Sequence, residues 1–237
     1  MIPGATAALA VIIPVGPGDR AWRGLLDQLH WLPAASELRL VACSAEDIDQ
    51  TALAAATALP VDRAWLLADR GRARQLNAGA AATRAAFLWF LHADTRIPAP
   101  QAVADAIAQA LAAYPQALSW FDLAFCNDGP AATRLNALGA GLRSRWLGLP
   151  FGDQGFLLAR RTFESLGGYD ETLPSAEDHA LVWTARRAGV RLHGTGVALS
   201  TSARRYAEQG WWRTTLRHLT LTWQQARRFA RRAPSRS

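Results

Sequence analysis

The sequence of 237 residues contains no lysine, so all 26 of its basic residues are arginines. Chemistry that depends on a catalytic lysine therefore has no candidate residue. Only two cysteines are present, and the wide separation of Cys43 and Cys126 gives neither a CxxC pair nor a zinc-ligand spacing. This usage fits a reduced, cytoplasmic setting better than a disulfide framework.

Long apolar runs and targeting signals are also missing. No stretch of roughly 18 apolar residues is free of proline, glycine or charge, so we expect no membrane-spanning helix. The first charged residue is Asp19, but the amino terminus lacks a basic region and is broken by prolines and glycines between Pro3 and Gly18. This pattern predicts a buried first strand and its loop, not a signal peptide.

Strand and helix patterns alternate along the first half of the chain. Strand-type runs occupy 8–15, 37–43, 62–68 and 87–91, and helical patterns occupy 19–30, 45–58, 71–84 and 99–113. Four successive β/α units predict one α/β domain with a mostly parallel sheet and helices on both faces. After residue 113 the alternation lapses, with strands predicted at 117–125, 155–159 and 191–199 and helices at 131–147, 160–166 and 175–187.

The carboxyl ends of parallel strands meet at one edge of a sheet, where open α/β sheets bind their ligands. That edge should bring together Val15–Gly16, Cys43–Ser44, Asp69–Arg72 and His92–Thr95. Small residues, arginines and an acid in one crevice predict a nucleotide-diphosphate site.

The run FLWFLHADT, residues 87–95, is the most informative motif. Its bulky apolar residues suit a strand that is buried on both faces. His92 and Asp94 follow the carboxyl end of that strand, where an aspartate can hold a divalent cation against a phosphate. An Asx turn with Thr95 as a helix cap explains the same residues, so the motif alone leaves both interpretations open.

The segment GRARQLNAG starts a helix with two arginines. Arg72 and Arg74 can hold phosphate oxygens together with free backbone amides, although a solvated basic face explains them as well. Asn77 and Gly79 interrupt an alanine-rich helix, where glycine costs about 1 kcal/mol. They therefore predict close contact with a strand or a ligand.

Two acidic motifs occur in the second half of the chain. Glu177 and Asp178 begin a helix, where the macrodipole favours negative charge. They are either capping residues or, if they face a sugar acceptor, the source of a general base. Asp153, in the turn LPFGDQ, either binds an acceptor hydroxyl or closes the turn.

The tail from Gly210 combines an apolar stripe with arginines. A helix at a membrane interface and a helix packed on the domain fit this pattern equally well. Nine arginines lie in the last 34 residues, so this end should seek diphosphate, lipid head groups or nucleic acid. The stripe is formed by Trp212, Leu216, Leu219, Trp223 and Ala226.

Together these motifs resemble the family 2 glycosyltransferases of GT-A fold, and most closely a short bacterial subgroup that includes enzymes of arsenosugar biosynthesis. The resemblance covers nearly the whole chain and depends on the combination of GRARQLN, LHADT and FGDQ. It implies a Rossmann-like GT-A domain over residues 1–208, with a nucleotide-binding half to about 115 and an acceptor half after it. Residues 209–237 would form a basic, amphipathic C-terminal helix and tail.

The resemblance implies a metal-assisted, inverting sugar transfer from a UDP- or GDP-sugar. HAD occupies the DxD position, so Asp94 would coordinate Mg²⁺ or Mn²⁺, with His92 in the place of the first acid. Asp178 matches the expected catalytic base, and Glu177 is its neighbour. The nucleotide-sugar site would be formed by Pro14, Val15, Gly16, Cys43, Arg70, Arg72, Arg74, Gln75, Asn77, Ala93, Arg204 and Arg205, and the acceptor site by Gly152, Asp153 and Gln154.

Two features depart from the family pattern. His92 replaces an acid, and the segment VACSAED lacks the aspartate that usually reads the base after the second strand. An alternative is therefore a non-catalytic module on a degenerate transferase fold that binds a membrane or, less expectedly, nucleic acid. A sugar-nucleotide pyrophosphorylase fits poorly without a lysine.

We expect a cytoplasmic protein, located at the inner membrane face if the tail binds lipid. The sequence indicates no particular acceptor.

Overall fold

The computed structural model describes residues 9–56, 59–130 and 132–203, together with Thr220 and Arg227. The first half alternates strands and helices in the order β1 (Leu9–Val15), α1 (Trp22–Leu26), β2 (Glu37–Ala42), α2 (Gln50–Ala55), β3 (Asp62–Leu67), α3 (Arg72–Ala81), β4 (Phe87–Phe90) and α4 (Pro100–Ala113). The second half consists of β5 (Leu118–Phe125), α5 (Thr133–Trp146), β6 (Phe156–Ala159), α6 (Arg160–Ser165), α7 (Glu177–Arg187) and β7 (Leu192–Thr201).

The seven strands form one mixed sheet in the order β3-β2-β1-β4-β6-β5-β7. β1 pairs in parallel with β2 and β4, and β2 pairs in parallel with β3. β5 and β7 are also parallel to each other. β6 is antiparallel to both of its neighbours, β4 and β5. The predicted, mostly parallel α/β sheet is confirmed, with one reversed strand inside it.

The reversed strand matters for the position of the FGDQ turn. Because β6 runs opposite to the other strands, its amino end lies at the edge where they have their carboxyl ends. The turn at Gly152–Gln154, which directly precedes β6, therefore reaches the same edge as the HAD residues after β4.

Apolar side chains cover both faces of the sheet. Along β1, Val11 and Ile13 belong to one buried cluster, and Ala10 and Ile12 belong to a second cluster. The first cluster includes apolar residues of α1 and α4, and the second includes residues of α3, α6 and α7. Helices therefore pack on both faces, as the apolar strands predict.

Two predicted helices are shorter than expected. The helix predicted over 19–30 is limited to α1, because Gln28 and Leu29 donate their N–H groups to carbonyls only three residues earlier and form tight turns. The helix predicted over 45–58 is divided into a 3₁₀ turn, Ala45–Asp47, and α2. Asp49 separates them because its side chain accepts a hydrogen bond from Ala52 N at 2.8 Å and caps α2.

No helix in the described part of the chain is long and apolar enough to cross a membrane. The predicted C-terminal amphipathic helix, apart from Thr220 and Arg227, falls outside the described residues, as do Arg204 and Arg205.

Candidate functional site

Gly152 joins three of the predicted motifs at the edge of the sheet. Its N–H group donates a hydrogen bond of 2.7 Å to Oδ2 of Asp178. A Cβ atom at this position would lie 3.1 Å from Asp178 Oδ2 and 3.3 Å from Nε2 of His92. The FGDQ turn is therefore in close contact with both the HAD residues and the start of α7, and a glycine leaves room for both neighbours.

The carboxylate of Asp178 is held by backbone donors on both oxygens. Oδ2 accepts from Gly152 N, and Oδ1 accepts from His179 N at 2.7 Å. The residue before α7, Ala176, has φ 69° and ψ 26°, and it is the one non-glycine residue with positive φ in the described part of the chain. Such a conformation costs on the order of 1 kcal/mol and clusters at functional sites.

Glu177 is a buried acid that is paired with an arginine of the opposite half. Its side chain is 8% exposed, and Oε1 lies 3.3 Å from Nε of Arg72 at the start of α3. Burial raises the pKa of Glu177, the charge of Asp178 raises it further, and Arg72 opposes the rise. Arg72 thus links the predicted nucleotide half to α7.

Asp153 is a further acid of the site, and its surroundings disfavour its charged form. Burial raises the pKa of Asp153 to about 6; Asp178 and Asp94 contribute to the rise, and Arg143 and Arg72 oppose it. Its Oδ1 atom is buried and makes no hydrogen bond within the described residues. The charges of Asp94 and Asp178 therefore both reach Asp153.

Asp94 lies at the end of the HAD turn, and its Oδ2 accepts a hydrogen bond of 2.9 Å from Thr201 Oγ1. Within the described residues, no three His, Cys, Asp or Glu side chains form a complete metal cage. Mg²⁺ and Mn²⁺ that also bind a diphosphate need only one or two protein carboxylates. The carboxylate of Asp94, in a site with an excess of negative charge, fits such a cation.

Three predicted binding residues are buried. Gln75 is 5% exposed, and its Nε2 atom donates to the carbonyls of Val15 at 2.9 Å and Val41 at 2.6 Å. Gln154 is fully buried; its Oε1 accepts from Ser144 and Phe151, and its Nε2 donates to a carbonyl of β5. Ala93 is 5% exposed and belongs to the core. These contacts hold the floor of the crevice together. A ligand could bind the side-chain amide of Gln75 or Gln154 only by displacing its present hydrogen bonds.

Asn77 connects α3 to the loop after α6. Its Nδ2 donates to the carbonyl of Tyr169, and its Oδ1 accepts from Tyr169 N, both at 2.9 Å. Nδ2 also donates to Glu171 Oε1 at 2.7 Å. Two residues further along α3, a Cβ at Gly79 would lie 2.4 Å from Cγ2 of Ile12. The predicted close contact of Gly79 with a strand is confirmed.

Tyr169 is a site residue that the sequence analysis missed. Its ring is buried against Phe90 and Phe163, with centroids 5.1 and 5.6 Å apart. Burial raises its pKa, the charges of Asp178 and Glu177 add to the effect, and Arg72 opposes it. The phenol therefore lies in the field of the α7 acids. In the sequence, a tyrosine after two glycines is not distinguishable from an ordinary core aromatic.

The residues predicted to line the nucleotide-sugar site lie at the carboxyl ends of β1, β2 and β3. Pro14 and Val15 end β1, Gly16 begins the following turn, and the half-buried Cys43 follows β2. The delayed acid Asp47 is buried, and its Oδ1 accepts from Gly18 N at 2.7 Å, so it holds this turn in place.

The arginines predicted for the nucleotide-sugar site at the start of α3 lie in different surroundings. Arg70 is exposed. Arg74 is also exposed and lies 3.7 Å from Asp69 and 4.0 Å from Glu171. Of Arg70, Arg72 and Arg74, Arg72 is therefore the one that contacts an acid of α7, Glu177.

Neither a protein family model nor a curated protein matches the sequence. The fold is similar to that of a mannosyltransferase, PcManGT from Pyrobaculum calidifontis, whose structure contains GDP-Man and Mn²⁺ (TM-score 0.63, 18% identity, 84% of this chain and 57% of that chain). It is also similar to S. aureus TarS (TM-score 0.62, 17% identity, 84% of this chain and 37% of that chain). Residues 1–349 of TarS in complex with UDP-GlcNAc give a TM-score of 0.61 at 18% identity, over 82% of this chain and 58% of that chain.

These similarities confirm the predicted GT-A type fold. This chain spans 57% of the mannosyltransferase chain and 37% of the longer TarS chain.

Proposed function

We propose that this protein is a glycosyltransferase that moves a sugar from a nucleotide-sugar donor to an acceptor hydroxyl by a single inverting displacement. The observation that carries this proposal is the meeting of Asp94, Asp153 and Asp178 at the carboxyl edge of a GT-A type sheet. The glycosyltransferase neighbours, with their GDP-Man and UDP-GlcNAc complexes, support a donor of the UDP- or GDP-sugar class.

The donor side of the crevice would be formed by the ends of β1, β2 and β3 and by the arginines at the start of α3. Asp94, with His92 beside it, would hold Mg²⁺ or Mn²⁺, as the Mn²⁺ in the mannosyltransferase neighbour supports. A bound cation supplies positive charge that stabilises a departing diphosphate. The positive charge of Arg72 lowers the pKa of Asp153 and of Glu177, so it would limit the repulsion among the acids of the site.

The acceptor side would be formed by the FGDQ turn and the start of α7. Asp178 would accept the proton of the acceptor hydroxyl while that oxygen bonds to the anomeric carbon and the nucleoside diphosphate leaves. The hydrogen bonds from Gly152 N and His179 N hold its carboxylate in one orientation. Asp153, one residue after Gly152, would accept a second acceptor hydroxyl and orient the sugar.

Binding and chemistry can be separated with two variants. Mn²⁺ with UDP or GDP should raise the melting temperature of the wild type, since a ligand at 100 times its Kd stabilises by about 2.7 kcal/mol. Asp94→Asn should lose this shift. Asp178→Asn should keep it but lose transfer or hydrolysis of the matching nucleotide sugar.

Asp105→Asn, at an exposed aspartate of α4, is the matched control and should behave as the wild type. A wild type that responds to no nucleotide with Mn²⁺ would contradict the proposal and would favour the non-catalytic alternative. An equal shift in Asp94→Asn would remove Asp94 from the metal site.

A further inference from the structure

A side-chain hydrogen bond joins the HAD turn to β7. Thr201 ends β7, and its Oγ1 atom donates to Oδ2 of Asp94 at 2.9 Å, although the two residues lie 107 positions apart. β7 runs in the same direction as β4, because β6 is antiparallel to both β4 and β5, and β5 is parallel to β7. The carboxyl end of β7 therefore reaches the edge of the sheet that holds the candidate site.

Backbone hydrogen bonds hold the end of β7 against the HAD turn. Ser200 and Arg96 exchange two of them, from Arg96 N to Ser200 O at 2.7 Å and from Ser200 N to Arg96 O at 2.9 Å. The carbonyl of Thr201 accepts from Cys126 N at 2.9 Å. Arg96 lies two residues after Asp94, so its pairing with Ser200 places the hydroxyl of the next residue, Thr201, beside the Asp94 carboxylate.

Asp128, three residues after the end of β5, holds the chain that follows Thr201. Its Oδ2 accepts from Ser202 Oγ, and its Oδ1 accepts from Ala203 N, both at 2.7 Å. The chain is therefore held before, at and after Thr201. The direction in which the Thr201 hydroxyl points is set by contacts with two other parts of the fold.

A threonine hydroxyl in this place is suited to orienting a metal ligand. Groups that hydrogen-bond to a ligand of a metal ion fix its direction, and their loss typically weakens metal binding by roughly 10- to 100-fold. A carboxylate offers about four lone-pair positions, so one hydrogen bond at Oδ2 leaves room for a cation on Asp94. The β-branched side chain of Thr201 also restricts its own χ1 rotation, which limits the directions that its hydroxyl can take.

We propose that Thr201 is a positioning residue for the cation of the transferase site. This role rests on the proposed function, in which Asp94 holds Mg²⁺ or Mn²⁺. The hydroxyl of Thr201 fixes the Asp94 carboxylate in one orientation before the cation binds, so the cation and its nucleoside diphosphate meet a ligand that is already in place. Loss of the hydroxyl then weakens binding of the cation itself, and not only the attachment of β7 to the HAD turn.

The test measures how much free Mn²⁺ the full chain needs for half-maximal binding of UDP or GDP, by calorimetry at a series of Mn²⁺ concentrations. Thr201→Val has nearly the same shape but no hydroxyl, and it should raise this concentration by about tenfold. Thr201→Ser keeps the hydroxyl and should stay close to the wild type. Thr201→Ala also lacks the hydroxyl, so it should show the same rise, and it replaces the valine variant if that variant does not fold.

Ser200→Ala is the matched control for a change in the strand. Side chains alternate between the two faces of a sheet, so Ser200 points away from the face on which Thr201 meets Asp94. Its Mn²⁺ requirement should equal that of the wild type. An equal rise in Ser200→Ala and Thr201→Val would place the effect in the strand as a whole and would contradict the role of the hydroxyl.

Two further outcomes would overturn the proposal. An unchanged Mn²⁺ requirement in Thr201→Val, even with a lower melting temperature, would make the hydrogen bond purely structural. A lower requirement would mean that the hydroxyl competes with the cation for Asp94. In both cases the wild type still binds nucleotide with Mn²⁺, so the proposed function stands. A wild type whose nucleotide binding is independent of Mn²⁺ would instead overturn this role together with the metal site of the proposed function.

Discussion

At the scale of single residues, Asp153 links the electrostatics of the site to the stability of the fold. Its pKa is about 6 in the folded chain and about 3.9 in an unfolded chain. The folded chain therefore binds this proton more tightly than the unfolded chain does. This residue's contribution to stability is most favourable below about pH 4, and it falls as the pH rises through 6.

Replacing Asp153 with asparagine should remove this dependence while keeping the shape of the side chain. Asp153→Asn should be more stable than the wild type above pH 6, by about 1 to 2 kcal/mol, and the difference should vanish near pH 4. Melting temperatures of both proteins between pH 4 and 8 measure the effect. Asp105→Asn should instead follow the wild type at every pH. Parallel curves for Asp153→Asn and the wild type would show that the charge of Asp153 is not destabilising.

Because Gly79 has no side chain, α3 can pack close to the sheet. In Gly79→Ala the new Cβ would lie 2.4 Å from Cγ2 of Ile12 and 3.1 Å from Cγ2 of Val41, both in buried strands. Overpacking of this kind costs about 1 to 3 kcal/mol, which exceeds the gain of up to about 1 kcal/mol in helix propensity.

The matched control is Gly139→Ala, at a helical glycine of α5 with no atom within 4 Å of the added Cβ. Urea unfolding should show a loss of stability for Gly79→Ala and a neutral or favourable effect for Gly139→Ala. Equal effects of the two substitutions would mean that the sheet yields to the extra methyl group.

At the scale of elements, α3 contains two polar residues, Gln75 and Asn77, that the sequence predicts as ligand contacts. An amide inside an alanine-rich helix predicts a partner, and Gln75 and Asn77 both have one. The partners are strand carbonyls for Gln75 and the backbone of Tyr169 for Asn77. These contacts join residues 34 to 92 positions apart, and local sequence does not indicate which distant acceptor an amide will meet.

Loss of the Asn77 side chain should loosen the loop that it holds. Asn77→Ala removes both hydrogen bonds to the backbone of Tyr169 and should destabilise the protein by about 1 to 3 kcal/mol. The amide of Tyr169 should also exchange faster with solvent. Gln101→Ala, on the exposed surface of α4, is the control and should change stability by less than about 0.5 kcal/mol. A weakened nucleotide affinity without faster exchange would instead assign Asn77 to the donor, as the sequence predicts.

The elements that alternate regularly were predictable from the sequence, and the irregular ones were not. Buried β-strands such as LAVIIPV and FLWF are apolar on both faces, and glycines with positive φ end α6 and α7 at Gly167 and Gly189. The direction of β6 was not predicted. A four-residue apolar run carries no information about which strands it will join, because its pairing with β4 depends on contacts far apart in sequence.

At the scale of the whole molecule, the sheet should be most stable at its centre. β1, β4 and β6 are paired on both sides, whereas β3 lies at one edge and contains exposed residues. Amides in the three central strands should therefore exchange only on global unfolding, and those of β3 should exchange through smaller local openings. Exchange measured by mass spectrometry in water tests this order. Protection of β3 equal to that of β4 would show that the sheet opens as one unit.

The position of β6 also has a consequence for synthesis on the ribosome. β5 is made before β6, yet in the finished sheet β6 lies between β5 and β4. The four parallel strands of the first half can associate as soon as they emerge, while β5 has no neighbouring strand until Phe156–Ala159 arrives. A nascent chain stalled before residue 156 would therefore expose an unpaired apolar strand, and a chaperone that binds such strands would find its target in β5.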